Sequence, residues 1–234
     1  MKVAIMQPYF LPYIGYFQLI NTVDIFVVYD NIEYTKKGWI NRNRILVNNK
    51  PEYISLPIKK ASDFLNVRDR YLSDNWFNER VKLKNKIKES YRKAPYYSET
   101  IQILDKIFDY KDINLFNFIY HSLKTICNHL DIETPLIVSS SIDYDNSLKS
   151  QEKVLDICKS LKTEVYINPI GGVDLYDKST FFSKGIDIKF LRSDNVTYTQ
   201  FNKEFISSLS IIDVLMFNDL KTVKHVLLNQ YITK

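Results

Sequence analysis

The chain is poor in glycine, with five in 234 residues, and poorer still in histidine and cysteine, with three and two. No GxxxxGK(S/T) loop is present, which argues against a P-loop ATPase. No GxSxG elbow is present either, which argues against a triad hydrolase of that design. Cys127 and Cys158 have no CxxC spacing; His121 and His129 are eight apart on one helical stretch, His225 is isolated, and HExxH is absent. These spacings support no metal site. A DxD run is also missing, against the common metal-dependent glycosyltransferase design. No apolar run approaches the ~18 residues of a membrane-spanning helix. The first residues, Met1–Met6, carry one positive charge and a short apolar stretch that Gln7 and Pro8 interrupt. They read as a strand rather than a signal peptide. The expectation is a cytoplasmic protein with buried, reduced thiols.

What is present is ordinary for a globular protein: 45% hydrophobic and 25% charged residues, with a net charge of +5. The length is that of one domain. A chain of this mass buries roughly 70% or more of its unfolded surface, so no disulfide or metal staple is needed. The positive excess is mostly scattered lysine, with no known nucleic-acid motif, so no stable nucleic-acid binding is expected. The run Lys82, Lys84, Lys86, Lys88 spreads around a helix and reads as a solvated face. The seven arginines, at 42, 44, 68, 70, 80, 92 and 192, carry more information.

Residues Lys2–Met6 and Asp24–Tyr29 read as buried strands flanking a helix over Tyr13–Val23, a βαβ unit with a parallel sheet. Arg44–Val47 and Glu52–Ile58 read as a hairpin around residues 48–51. Asp74, Ser98 and Asp112 are candidate caps of three successive helices. These helices, residues 74–130, form a helical lobe within a single domain of residues 1–234. Leu136–Ser139, Glu164–Asn168 and Ile186–Leu191 return to strand character, with helices over Ser150–Leu161 and Leu175–Lys184 between them. Ser210–Phe217 and Leu220–Tyr231 close the chain as helices. The fold class is α/β, an open, mostly parallel sheet with flanking helices.

Ligands of such sheets bind beyond the carboxyl ends of the strands. Three loops leave those ends: Gln7–Pro12, Asp30–Asn43 and Asn168–Asp174. In the first, Gln7, Tyr9 and Tyr13 offer neutral hydrogen bonds around a two-proline turn. The helix behind them presents free N–H groups. A βαβ nucleotidyltransferase would place a His-x-x-His or His-x-Gly-His pattern there, but the stretch is Tyr13-Ile14-Gly15-Tyr16. The second loop is the densest in chemistry. Arg42 and Arg44 point to one side of an extended segment and suit a pyrophosphate. Trp39 can stack on a base or sugar, and Asn41 and Asn43 can bond hydroxyls. Lys36 adds charge. Gly171-Gly172 after a strand is either a phosphate cradle or a tight turn, and Ser139 is either a site hydroxyl or loop. Asp213, between Ile212 and Val214, either faces solvent or positions a neighbouring element.

The stretch Gln7-Pro8-Tyr9-Phe10-Leu11-Pro12-Tyr13-Ile14-Gly15-Tyr16-Phe17 resembles the opening Q-P-x-Y-F-P-W-x-G-Y-F of the WbqC-like family. Lys36-Lys37-Gly38-Trp39-Ile40-Asn41-Arg42-Asn43-Arg44-Ile45 is similar to its K-x-x-W-x-N-R-N-R-I. Tyr91-Arg92-Lys93-Ala94-Pro95-Tyr96-Tyr97 is similar to its Y-x-K-A-P-Y-F. Tyr13 stands where the family usually has Trp. The resemblance implies a place in O-antigen or other surface-polysaccharide biosynthesis, with a glycine-transferase role for some members.

The expectation joining both lines is an acyl- or aminoacyltransferase acting on the amine of a nucleotide-linked amino sugar. Arg42 and Arg44 would bind the diphosphate, Asp30 would be the general base, and Gln7 and Asn41 would orient substrate. Tyr9, Tyr13, Lys36, Trp39, Asn43, Ser139, Gly171 and Gly172 complete the expected substrate-binding set. No cofactor is evident. The donor is open among a carrier-protein thioester, an adenylate and an aminoacyl-tRNA. The alternatives are a glycosyltransferase using the same sugar and a non-catalytic scaffold of the assembly machinery.

Overall fold

The computed structural model describes residues 1–201 and 204–234. Its strands are β1 (Lys2–Met6), β2 (Ile25–Val28), β3 (Arg42–Val47), β4 (Lys50–Ser55), β5 (Leu136–Val138), β6 (Val165–Pro169), β7 (Asp187–Ser193) and β8 (Tyr231–Thr233). Its α-helices are α1 (Ile14–Thr22), α2 (Trp76–Tyr91), α3 (Tyr97–Phe108), α4 (Leu115–His129), α5 (Ser150–Ser160), α6 (Lys178–Ser183), α7 (Ile211–Phe217) and α8 (Leu220–His225). Among the described residues, six strands form one sheet in the order β5-β2-β1-β6-β7-β8, and β3 and β4 form a separate hairpin. All pairs in the large sheet are parallel except β7–β8. This is the open, mostly parallel α/β fold that the strand runs require.

Alternation along the strands divides the core into two layers. Ala4, Phe26, Val28, Ile167 and Leu191 point into the larger core, shared with α1, α2, α3, α4 and α7. Val3, Ile5, Val27, Tyr166, Ile188 and Phe190 point into the other, shared with α5 and α6. Helices therefore cover both faces, as a parallel sheet demands. Trp76, Ile87, Tyr91, Leu104, Phe108 and Phe118, from residues 74–130, lie in the same continuous core as α1. The lysines of α2 spread around the helix rather than forming one solvated face: Lys82 pairs with Glu79 in the open, Lys86 reaches Glu52 of β4, and Lys84 and Lys88, both half-buried, pair with Asp105 of α3.

Several boundaries differ from the sequence reading. The hairpin turn is only Asn48-Asn49, both at positive φ (47° and 65°), so Lys50 and Pro51 already pair in β4. Asparagine tolerates that conformation, and it matches strand twist. Helix α2 starts after Asn75; Asp74 instead pairs with Lys59. Asn114, not Asp112, caps α4 by accepting from the Asn117 N–H. Tyr96 occupies the cap position of α3, and Ser98 lies within that helix. Residues 170–175 form a 3-10 turn, so the helix expected from Leu175 begins at Lys178. The final helix ends at His225, and Tyr231–Thr233 returns as an antiparallel edge strand. No helix among the described residues is long and apolar enough to cross a membrane.

Candidate functional site

Strand β1 pairs with β2 on one side and β6 on the other. The chain thus fills one half of the sheet, returns to the middle, and fills the other. Such a reversal leaves a crevice at the carboxyl ends of the two central strands, where open sheets bind ligands. A cleft of about 670 Å³ lies there. Its residues come from the end of β1 (Ile5, Met6, Gln7), from Tyr29 and Ile32 beyond β2, and from Asn168 and Pro169 of β6. Tyr9, Pro12, Tyr13, Trp39, Asn43, Arg44 and Ser208 contribute a polar and aromatic part. Ile170, Gly171, Gly172, Leu175 and Tyr176 contribute a largely apolar part.

Among the described residues that line the cleft, Arg44 is the one charged side chain, and none is Asp, Glu, His or Cys. Its guanidinium carbon stands 5.8 Å from the centre of the Trp39 ring. One Nη reaches the Ser208 carbonyl at a long 3.4 Å, and Nε is buried with no hydrogen-bond partner. Nε is enclosed by protein, so an anionic ligand in the cleft would meet the guanidinium through its more open Nη donors. Burial raises the pKa of Tyr9, Tyr13, Tyr29 and Tyr176 above the ordinary phenol value; for Tyr9 the neighbouring Tyr13 adds to the rise. The cleft therefore presents neutral phenols across the physiological range, groups that donate hydrogen bonds and do not act as bases.

The Gln7–Pro12 loop is held in an unusual shape. Leu11 is fully buried at φ 43°, a left-handed conformation that costs a branched residue about 1–2 kcal/mol. Its carbonyl accepts from Asn43 Nδ2 at 2.8 Å and Ser210 Oγ at 2.8 Å, and the Phe10 carbonyl accepts from Asn43 at 3.1 Å. Asn43 is thus both a lining residue and a clamp on that loop. Opposite, Asn168 Nδ2 donates to the Tyr166 hydroxyl at 2.7 Å. A Cβ at Gly172 would stand 2.2 Å from Asn168 Oδ1, so only glycine lets the turn close against this amide.

Of the residues singled out from sequence, Gln7, Tyr9, Tyr13, Trp39, Asn43, Arg44, Gly171 and Gly172 meet in this cleft. The others lie elsewhere. Arg42 donates from Nε to the Gly38 carbonyl (3.0 Å) and from Nη2 to the Lys37 carbonyl (2.6 Å), with its guanidinium over the Tyr53 ring. Asn41 accepts from the Tyr34 hydroxyl and donates to the Leu56 carbonyl. Lys36 pairs with Asp63. Asp30 is buried away from the cleft lining; its Oδ1 accepts from Ser139 Oγ at 2.8 Å and the Ser140 N–H at 2.9 Å. Arg68 approaches its other oxygen at 3.7 Å. Ser139 is thereby a structural partner of Asp30.

Asp213 resolves in favour of positioning. It is fully buried, and its oxygens accept from the Tyr91 hydroxyl (2.7 Å), the Tyr198 hydroxyl (2.8 Å) and Gln200 Nε2 (2.7 Å). Tyr91 in turn accepts from the Leu46 N–H of β3. One turn earlier, the Ser210 N–H donates to the Arg44 carbonyl and the Ile211 N–H to the Pro12 carbonyl. Tyr198 and Gln200 carry no sequence signal beyond polarity; Asp213 had one, a lone carboxylate in an apolar helix.

The fold is an open, mostly parallel α/β sheet with a cleft at its topological switch point. A family model, the WbqC-like protein family, matches residues 7–225, and the chain belongs to that family. It is also 28% identical over 223 residues to the Mycobacterium tuberculosis protein named "Uncharacterized protein Rv1507c", covering 93% of each chain. No solved structure matches the chain.

Proposed function

We propose that this WbqC-like protein is a surface-polysaccharide biosynthesis enzyme that binds a nucleotide-linked amino sugar in the cleft and transfers an acyl or aminoacyl group to its amine. The observation that carries the reading is Arg44: the one charged side chain of the described lining, set beside the Trp39 ring at the switch point. The guanidinium would take the diphosphate, since it offers forked donors that match phosphate oxygens. Gln7, Asn168 and the phenols would bond sugar hydroxyls. Neutral phenols suit the second half of the chemistry, because they can donate to the oxyanion that forms when an amine attacks an acyl carbonyl. None of the described lining residues is a carboxylate, so the amine would enter uncharged and the proton it loses on acylation would leave with the donor's leaving group. The donor stays open among a carrier-protein thioester, an adenylate and an aminoacyl-tRNA. The reading places the protein in the cytoplasm, with its buried thiols reduced.

Calorimetric titration with a panel of nucleotide sugars tests this. Saturable binding is expected, reduced at least about tenfold in Arg44→Ala, because a charged hydrogen bond is worth ~1.5–3 kcal/mol. Product mass then decides the reaction: acyl transfer leaves the nucleotide attached, and glycosyl transfer releases it. No binding to any nucleotide sugar at millimolar concentration would sink the reading.

A further inference from the structure

Resting on that reading of the cleft, we propose that Trp39 forms a stacking subsite for a planar ring of the ligand, and that Arg42 is the positioning residue that holds it. Trp39 follows a tight turn in which the Gly38 N–H donates to the Thr35 carbonyl at 3.2 Å. Arg42 stands at the first position of β3, within reach of that turn. It spends its donors on the carbonyls of Lys37 and Gly38, the two residues just before Trp39. The Trp39 carbonyl is held from the other side by the Phe10 N–H at 3.2 Å. The backbone on both sides of the indole is thereby fixed.

The ring is fixed as well. Arg42 lies over Tyr53 at 4.7 Å, Tyr53 packs on Trp39 with centroids 6.2 Å apart and planes 31° apart, and Arg44 lies 5.8 Å from Trp39. Arg42, Tyr53, Trp39 and Arg44 form one continuous ladder of cations and rings. This ladder does not serve the core: Trp39 is 36% exposed and Tyr53 49%. It orders a large apolar ring at the edge of a cleft instead. A planar ring seated on Trp39 would leave a neighbouring anion beside Arg44. An aromatic ring joined to a phosphate is the chemistry of a nucleotide, so the subsite takes the base of the nucleotide-linked substrate.

The test uses the full chain and two probes, UMP and ribose 5-phosphate, which differ by the base. UMP is expected to bind about tenfold more tightly, the scale of one base stacked on an aromatic side chain. Arg42→Ala is expected to erase that preference while leaving ribose 5-phosphate affinity unchanged, which also shows that the variant is folded. Tyr53→Phe, which keeps the ring, retains the preference. Without ligand, acrylamide, a neutral quencher, should quench Trp39 more strongly in Arg42→Ala than in wild type, since Trp76 is buried and contributes little. Equal binding of the two probes, with both lost in Arg44→Ala, would overturn the subsite and leave the anion site standing. Binding of neither would overturn both. Unchanged acrylamide quenching in Arg42→Ala would overturn the role of Arg42.

Discussion

Replacing Asp213 with alanine removes the acceptor of three donors at once: the hydroxyls of Tyr91 and Tyr198 and the amide of Gln200. A buried donor left without a partner costs about 1–3 kcal/mol. Tyr198 is only partly buried and can recover some hydration. Removing the carboxylate also recovers its own desolvation cost. The net loss is then about 3–5 kcal/mol, the scale of two to three orphaned buried donors less what is recovered. Urea unfolding followed by fluorescence would measure it, as a lower midpoint at constant slope. A loss below about 1 kcal/mol would refute the claim that this network organises the region. A second arm concerns pH. Burial lifts the Asp213 pKa, although its three hydrogen bonds pull the other way. The folded state therefore holds this proton more tightly than the unfolded chain, and the contribution is fully present below the ordinary value of 3.8. It is lost as pH rises from there through the higher folded value. Asp213→Asn does not titrate, so the stability of wild type relative to Asp213→Asn should fall as pH rises across that window. A flat difference would refute the shift.

Three further outcomes are expected. Asp30→Asn keeps an acceptor for Ser139 and Ser140, so it should cost about 1 kcal/mol in urea unfolding and leave ligand affinity unchanged. Abolished turnover at unchanged stability would instead make Asp30 the base. In Gly15→Ala the new Cβ would stand 2.3 Å from Tyr13 Cε2 and 2.6 Å from Ser193 Oγ, so the Tyr13 ring must leave its place in the cleft. A loss of about 1–3 kcal/mol in thermal unfolding should accompany weaker binding; unaltered affinity would show that Tyr13 does not touch the ligand. Burial pushes the thiols of Cys127 and Cys158 up to about 12. Both should resist alkylation at pH 8 in the native protein and react in urea, and fast native labelling would contradict their burial.

The apolar runs at Lys2–Met6, Asp24–Tyr29 and Glu164–Asn168 make three parallel strands legible, because a strand buried on both faces must be apolar throughout. Pairing partners are not written locally. Tyr231 reads as the last residue of a helix until β7 supplies the ladder that makes Tyr231–Thr233 a strand. Caps are equally contextual: Asp74 is a good cap by type, but Lys59 on another segment takes its carboxylate. In the candidate site, loops after strands lead to the cleft because the parallel topology sends them there. Alternation also gives Arg42 and Arg44 the same strand face. It cannot say where a long side chain ends. Arg42 finds two carbonyls of its own loop, and Arg44 finds the cleft. The Asp213 network joins Leu46, Tyr91, Tyr198 and Gln200 across long separations, and no local pattern announces such a partnership.

The bonds around Ser210 also bear on the order of assembly. Its hydroxyl holds the Leu11 carbonyl across 199 residues, and its N–H holds the Arg44 carbonyl. The left-handed Leu11 turn and the strand bearing Arg44 thus take their last anchors from the final part of the chain. Closing so long a loop is entropically costly and slow, and nothing local offsets that cost before the contact is made. On a ribosome, β1 and β2 can pair while the cleft between β1 and β6 is still unbuilt. The binding surface is then among the last parts of the molecule to mature, and shortened nascent chains would carry the sheet's beginnings without its site.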